Sequence, residues 1–240
     1  MLIEVCTNSL ESALNAQKVG ADRIELCAEL GLGGITPSFG LLKSIREKIK
    51  IPVHVLIRPR SGDFLYSDLE FDAMLNDIKL CVDLGFDGIV SGVLCKDFSI
   101  DIDRVAMLKE ASENLKFTFH RAFDWVNDPI LALSELEKIG VDYILSSGQK
   151  TKAIEGIELL SLLNQKSSHC TIMPGSGINA ENGILFKEKD FKIIHLSAAV
   201  FHEKNANKQS LPMSYLPFLA ENKVVVSDSE IIRLLLNRVK

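Results

Sequence analysis

Eight short apolar runs recur about every 30 residues along this chain, with helix-like patterns between them, and that alternation limits the fold to very few architectures. The runs lie at 2–7, 23–28, 53–58, 88–93, 116–121, 142–147, 170–174 and 192–197, each rich in Val, Ile, Leu or Phe and each of strand length. Helix signals fill the gaps. Asn8 with Glu11, Ser67 with Glu70 and Ser227 with Glu230 have the capping spacing, in which a side-chain oxygen satisfies an orphan amide and an acid three residues on reaches back. Gly20, Gly85 and Gly140 stand where helices stop. Eight βα units without a linker or a low-complexity tract predict an α/β chain folded as a (β/α)8 TIM barrel, one domain over residues 1–240. An open doubly wound sheet is the alternative. It would place a Gly-rich dinucleotide turn after the first strand, where this chain has Cys6-Thr7-Asn8-Ser9, so closure is favoured and no organic cofactor is indicated.

Composition narrows the function. With 47% apolar and 25% charged residues and a formal net charge of −5, the chain has an ordinary globular balance and no general attraction for phosphate backbones, so nucleic acid is not an expected partner. No apolar stretch reaches the ~20 residues that span a bilayer, and no signal-like segment precedes the first strand, so a cytoplasmic location off the membrane is expected. Five cysteines at irregular spacing, without a CxxC, read as thiols rather than as a disulfide framework.

The strands end in charged or reactive residues. Ile3-Glu4-Val5-Cys6, Ile24-Glu25-Leu26-Cys27, Val53 to Arg60 and Phe117-Thr118-Phe119-His120-Arg121 all do so. Period-two alternation turns Ile3, Val5, Ile24, Leu26, Val53, Val55, Ile57, Phe117, Phe119, Ile194 and Leu196 toward the helices. Glu4, Cys6, Glu25, Cys27, His54, Leu56, Arg58, Thr118, His120, His195 and Ser197 then face inward. An ionised group inside a sheet costs several kcal/mol unless paired, so these strand ends should converge on one polar pocket.

Within that pocket, Arg58 and Arg60 offer planar forks of donors for a carboxylate or phosphate, or Arg58 neutralises Glu4 or Glu25. His120 beside Glu25 and Glu4 forms a candidate acid/base set, with Arg121 and Asp124 close in sequence. After the seventh run, Gly175, Ser176 and Gly177 form a turn that permits close backbone approach to an anion. Ser197 follows the eighth run, and Ser146, Ser147, Gly148 and Lys150 extend the same rim. Cys6 and Cys27 repeat a Glu-x-Cys pattern, and thiolates are soft ligands that suit Cu(I). Inward residues on adjacent strands fall in different layers of a barrel, which argues for well-separated sulfurs and a structural role as the alternative. Residues 203–226 are an excursion before the last helix, readable as a lid, as a surface insertion or as an oligomer contact through Leu216, Phe218 and Leu219.

Six segments together carry a family likeness: Glu-Val-Cys-Thr-Asn-Ser from Glu4, Ala-Asp-Arg-Ile-Glu-Leu-Cys from Ala21, Gly-Gly-Ile-Thr-Pro-Ser from Gly33, Ile-Arg-Pro-Arg-Ser-Gly-Asp-Phe from Ile57, Phe-His-Arg-Ala-Phe-Asp from Phe119 and Met-Pro-Gly-Ser-Gly-Ile from Met173. In order and spacing, from Leu2 to about Phe201, the chain resembles the CutC copper-homeostasis family. The resemblance implies a cytoplasmic TIM-barrel protein, commonly a homo-oligomer, linked to copper tolerance and binding copper through paired cysteines, here Cys6 and Cys27. Beside it stands the enzyme reading drawn from the residues. In that reading Arg58, Arg60 and the turn from Gly175 to Gly177 hold a small anionic or phosphorylated metabolite while His120 and Glu25 exchange protons.

Overall fold

The computed structural model describes residues 1–203 and 223–240. The eight apolar runs become parallel strands: β1 (Leu2–Thr7), β2 (Arg23–Leu26), β3 (Val53–Leu56), β4 (Gly88–Ser91), β5 (Lys116–Phe119), β6 (Tyr143–Ser146), β7 (Thr171–Pro174) and β8 (Ile193–Leu196). Helices follow the first seven in turn: α1 (Leu10–Val19), α2 (Phe39–Lys48), α3 (Asp68–Asp83), α4 (Ile102–Ala111), α5 (Pro129–Ile139), α6 (Ile157–Lys166) and α7 (Gly183–Glu188). After β8, an antiparallel strand pair, β9 (Ala199–Glu203) and β10 (Lys223–Ser227), precedes α8 (Ser229–Val239). Leu216, Phe218 and Leu219 of the expected excursion lie outside the described residues.

The strands are hydrogen-bonded in the order β7-β6-β5-β4-β3-β2-β1-β8, and a parallel bridge between Gly175 and His195 joins the two ends. The sheet closes into a (β/α)8 barrel. Most ladders stop short of the apolar runs because the chain leaves the barrel wall near its C-terminal mouth. Arg58, for example, turns its backbone N–H from the ladder to the Thr36 hydroxyl.

Alternation sorts the side chains as the period demands. Ile3, Val5, Ile24, Leu26, Val53, Val55, Ile57, Phe117, Phe119, Ile194 and Leu196 join the large apolar cluster that also holds buried helix residues such as Ala13, Leu42, Ile78 and Leu136. Burying a side chain of this size stabilises by roughly 1.5–3 kcal/mol, so this cluster dominates the favourable side of folding. A separate small cluster, Cys6, Cys27, Leu56 and Val90, sits on the inner face.

Caps differ in detail from the spacing argument. Ser67 and Glu70 make the reciprocal capping box at α3. At α1 the cap is Ser9 rather than Asn8, and at α8 it is Asp228 rather than Ser227. Ser227 instead joins the end of β10 to the barrel, its N–H donating to the Ser12 hydroxyl and its hydroxyl to the Cys6 carbonyl. Among the described residues, no helix is long and apolar enough to cross a membrane.

Candidate functional site

Three inward positions of β1 and β2 and one of β8 assemble a charged cluster in the barrel interior. Strand register sets Glu4 beside both Arg23 and His195. The Arg23 Nε donates to Glu4 Oε2 at 2.5 Å, and His195 Nδ1 lies 2.8 Å from Glu4 Oε1. All three are buried or nearly so, and His195 also comes within 4.0 Å of Glu25. Burial alone would hold Glu4 protonated, but the Arg23 guanidinium and the His195 contact outweigh it and carry its pKa down to about 2. For His195 burial opposes the cation, yet Glu25 and Glu4 prevail and raise its pKa. Glu25 goes the other way: burial first, then the Glu4 charge, raise it against the pull of His195. Two carboxylates that share His195 as a neighbour thus take different protonation behaviour from their surroundings.

Above this cluster the same strands bring two sulfurs together. Cys6 faces Glu25 in the β1–β2 register, and Cys27, one residue past β2, donates its backbone N–H to the Thr7 carbonyl. The diagonal between Cys6 and Cys27 closes to 3.7 Å between sulfurs, against the wide separation expected from barrel layering. Layering describes heights along the barrel axis, and two residues offset across one ladder still lie side by side. The Cys6 thiol also lies 3.4 Å from Glu25 Oε1. Its pKa is pushed well above the ordinary thiol value, first by the contact with Cys27 and then by burial and the nearby Glu25 carboxylate. Cys6, Glu25 and His195 each offer one ligand atom, and the three atoms fall within 4.8 Å of one another.

A cavity of about 670 Å³ opens over this floor at the C-terminal mouth. Cys6, Glu25, Cys27, Arg58, His120, Arg121, Ser176, Gly177 and Ser197 all line it, so most of the residues nominated from strand ends meet there. Others are placed elsewhere. Glu4 lies beneath, paired with Arg23, and His195, which itself lines the cavity, joins it to the floor. Arg60 is engaged by Asp63 at 2.9 Å and Glu70 at 2.5 Å on the way into α3, outside the cavity lining. Asp124 accepts from the Ser146 and Ser147 hydroxyls and from the Ser147 and Gln149 amides, and it pairs with Arg121 at 2.8 Å. It therefore organises the loop after β6 rather than facing a ligand. Gly175 belongs to the seam between β7 and β8, where an added Cβ would meet Leu145. The Ser176 hydroxyl is spent on the Thr151 carbonyl.

Two pairings differ from the expectation. The cation that neutralises Glu4 is Arg23, whereas Arg58 reaches the carbonyls of Leu32, Gly34 and Gly62. The imidazole beside the two glutamates is His195, whereas His120 packs 4.9 Å from the Phe64 ring. Both missed residues carried a signal. Arg23, Glu25 and Cys27 share one parity, and His195 is inward by the same count.

The sequence profile of the CutC family matches residues 1–200. Proteins named as CutC family members from Salmonella agona and Salmonella typhimurium are each 49% identical over 199 residues, covering 83% of this chain and 80% of theirs. A solved CutC structure from Streptococcus agalactiae, described as a candidate copper homeostasis protein, is 33% identical. It covers 82% of this chain and 98% of its own, with a TM-score of 0.78. The thiamine phosphate pyrophosphorylase of Pyrococcus furiosus is 17% identical with a TM-score of 0.61, covering 99% of this chain and 95% of its own, a likeness of fold alone. Residues 201–240, which include β10 and α8, fall outside the family match.

Proposed function

Since this chain belongs to the CutC family, we propose that it handles copper, binding Cu(I) as cargo through Cys6 and Cys27 at the barrel mouth. The observation that carries this reading is the 3.7 Å approach of two buried sulfurs that line one cavity. Paired thiolates are soft donors that Cu(I) prefers, and it accepts as few as two of them. His195 and Glu25, whose ligand atoms neighbour the Cys6 sulfur, are the donors available to complete or screen such a site.

Binding has to displace protons, because the thiolate is the ligand. With its thiol pKa held high by Cys27 and burial, Cys6 gives up its proton only when a cation replaces it. Copper affinity therefore rises with pH. The five cysteines are free thiols, a state that a reducing cytoplasm preserves, and we place the protein there. A homo-oligomer is part of the same reading and is measured by light scattering.

Anaerobic competition against a chromogenic Cu(I) chelator tests the assignment. Wild type is expected to retain Cu(I), and Cys27→Ser to weaken retention at least about tenfold, since even an outer-shell partner of a metal ligand costs about 10–100-fold when lost. Unchanged affinity in the Cys6→Ser/Cys27→Ser protein rejects it.

A further inference from the structure

The guanidinium of Arg58 is buried, with 6% of the residue exposed, and among the described residues no carboxylate lies within ion-pair distance of it. Its partners are neutral: the Leu32 carbonyl at 3.1 Å, the Gly34 carbonyl at 2.9 Å and the Gly62 carbonyl at 2.8 Å. Among the described residues its Nε has no hydrogen-bond partner of good geometry, and the nearest neutral group left over is the buried Tyr66 hydroxyl, which lies against the guanidinium without a well-aligned bond. A buried charge without a counter-charge is costly, and carbonyl dipoles offset only part of that cost.

His120 lines the same cavity with the same incompleteness. Its Nδ1 accepts the Ala122 N–H at 3.3 Å, which assigns the ring proton to Nε2. That Nε2 is buried and has no partner among the described residues. Burial, reinforced by the Arg58 charge, brings the pKa of His120 down to about 3, so at neutral pH the ring is an uncharged donor. Phe64 joins the two residues. Its ring lies 5.1 Å from the Arg58 guanidinium carbon, 4.9 Å from the His120 ring and 5.0 Å from the Trp125 ring. Trp125 lines the cavity and is 46% exposed.

From this arrangement we infer that the cavity holds a second subsite, distinct from the sulfur pair, in which Arg58 and His120 bind the carboxylate of a small organic acid whose body rests on Phe64 and Trp125. A carboxylate supplies the missing single negative charge and accepts from the donors left over. A phosphate dianion would ask for more donors than Arg58 has free once three carbonyls are served. The aromatic pair adds apolar area for an organic body that an inorganic anion lacks. The subsite adjoins the sulfurs through Gly34, whose carbonyl binds Arg58 and whose Cα packs against Cys27, where an added Cβ would come within 3.2 Å of the Cys27 Cβ. The inference does not depend on copper.

Trp125 is the single tryptophan of the chain, so its emission reports on the subsite directly. Metal-free full-length protein is titrated with acetate, benzoate and a set of small 2-oxo and 2-hydroxy acids, with benzamide and inorganic phosphate as comparisons, while emission and thermal midpoint are followed. At least one carboxylate is expected to give a saturable response, with benzamide and phosphate about tenfold weaker or worse, the scale of one lost charge-assisted hydrogen bond. Arg58→Gln and His120→Phe should each weaken binding by a similar factor, and Gly40→Ala, in α2 away from the cavity, should leave it unchanged. Should Arg58→Gln fail to fold, His120→Phe carries the test, since it keeps a ring against Phe64 and removes the Nε2 donor, while its thermal midpoint without ligand reports the separate cost of freeing the Ala122 N–H. No saturable response from any carboxylate, equal binding of phosphate alone, or full binding by His120→Phe overturns the inference.

Discussion

His54 and His120 are buried in the barrel without the carboxylate that His195 has, and the difference sets the sign of their effect on stability. Burial, then the nearby Arg23 charge, bring His54 down to about 3 from 6.5. Between those values the unfolded chain binds a proton that the folded chain refuses, so stability falls as pH drops. His195 works in the opposite sense. Its raised pKa gives a contribution that is complete below the unfolded value and disappears as pH rises through the folded one. We expect the urea midpoint to decline from about pH 6.5 downward, each buried neutral histidine adding at most roughly 1.4 kcal/mol per pH unit. His54→Gln should flatten that slope. An unaltered slope in the variant would show that His54 is protonated in the fold. Arg23 gives a second residue-scale expectation: Arg23→Met leaves Glu4 buried with His195 alone and should cost about 3–5 kcal/mol. The Glu4→Gln/Arg23→Met pair should cost well under the sum of the single changes in a denaturation cycle, whereas additivity would mean that the 2.5 Å contact contributes nothing.

At the scale of elements, the loop between β2 and α2 determines the site. Gly34 has φ +85, and a Cβ there would sit 2.7 Å from Leu56 Cδ2 and 3.2 Å from Cys27 Cβ. Only glycine combines that backbone conformation with that approach. Gly34→Ala is therefore expected to destabilise by about 1–3 kcal/mol and to lower copper retention by shifting Cys27. Gly40, in α2 with nothing within 4 Å of an added Cβ, is the control, and its alanine variant should be as stable as wild type or slightly more so. Equal midpoints for the two variants would remove Gly34 from the account. The strands themselves were readable because their period is local and every second residue faces the helices. The exact caps were not, since Ser9 and Asp228 compete with neighbours of the same chemistry one residue away, and backbone dihedrals choose between them.

On the scale of the whole molecule, barrel closure brings the last strand to the first. His195 reaches Glu4 across 191 residues of sequence, and the Gly175–His195 bridge completes the ring. Gly175→Ala would press a Cβ to 2.5 Å from Leu145 Cδ1 and 3.4 Å from His195 Cβ. It should cost about 1–3 kcal/mol and speed amide exchange at the β7–β8 seam more than between β2 and β3. Uniform exchange in the variant would mean that the seam is no weaker than the rest of the wall.

The sequence alone determined the eight-unit alternation, the face that each strand residue takes and the family likeness, because spacing and parity are properties of neighbours along the chain. Tertiary structure alone decided which charges meet. Arg23 rather than Arg58 neutralises Glu4, His195 rather than His120 stands beside Glu25, and the Cys6 and Cys27 sulfurs come within 3.7 Å. Those choices follow from strand register and from the closure of β8 on β1. Register offsets strands by distances that no single strand's pattern records, and closure joins residues whose separation in sequence carries no trace of their contact.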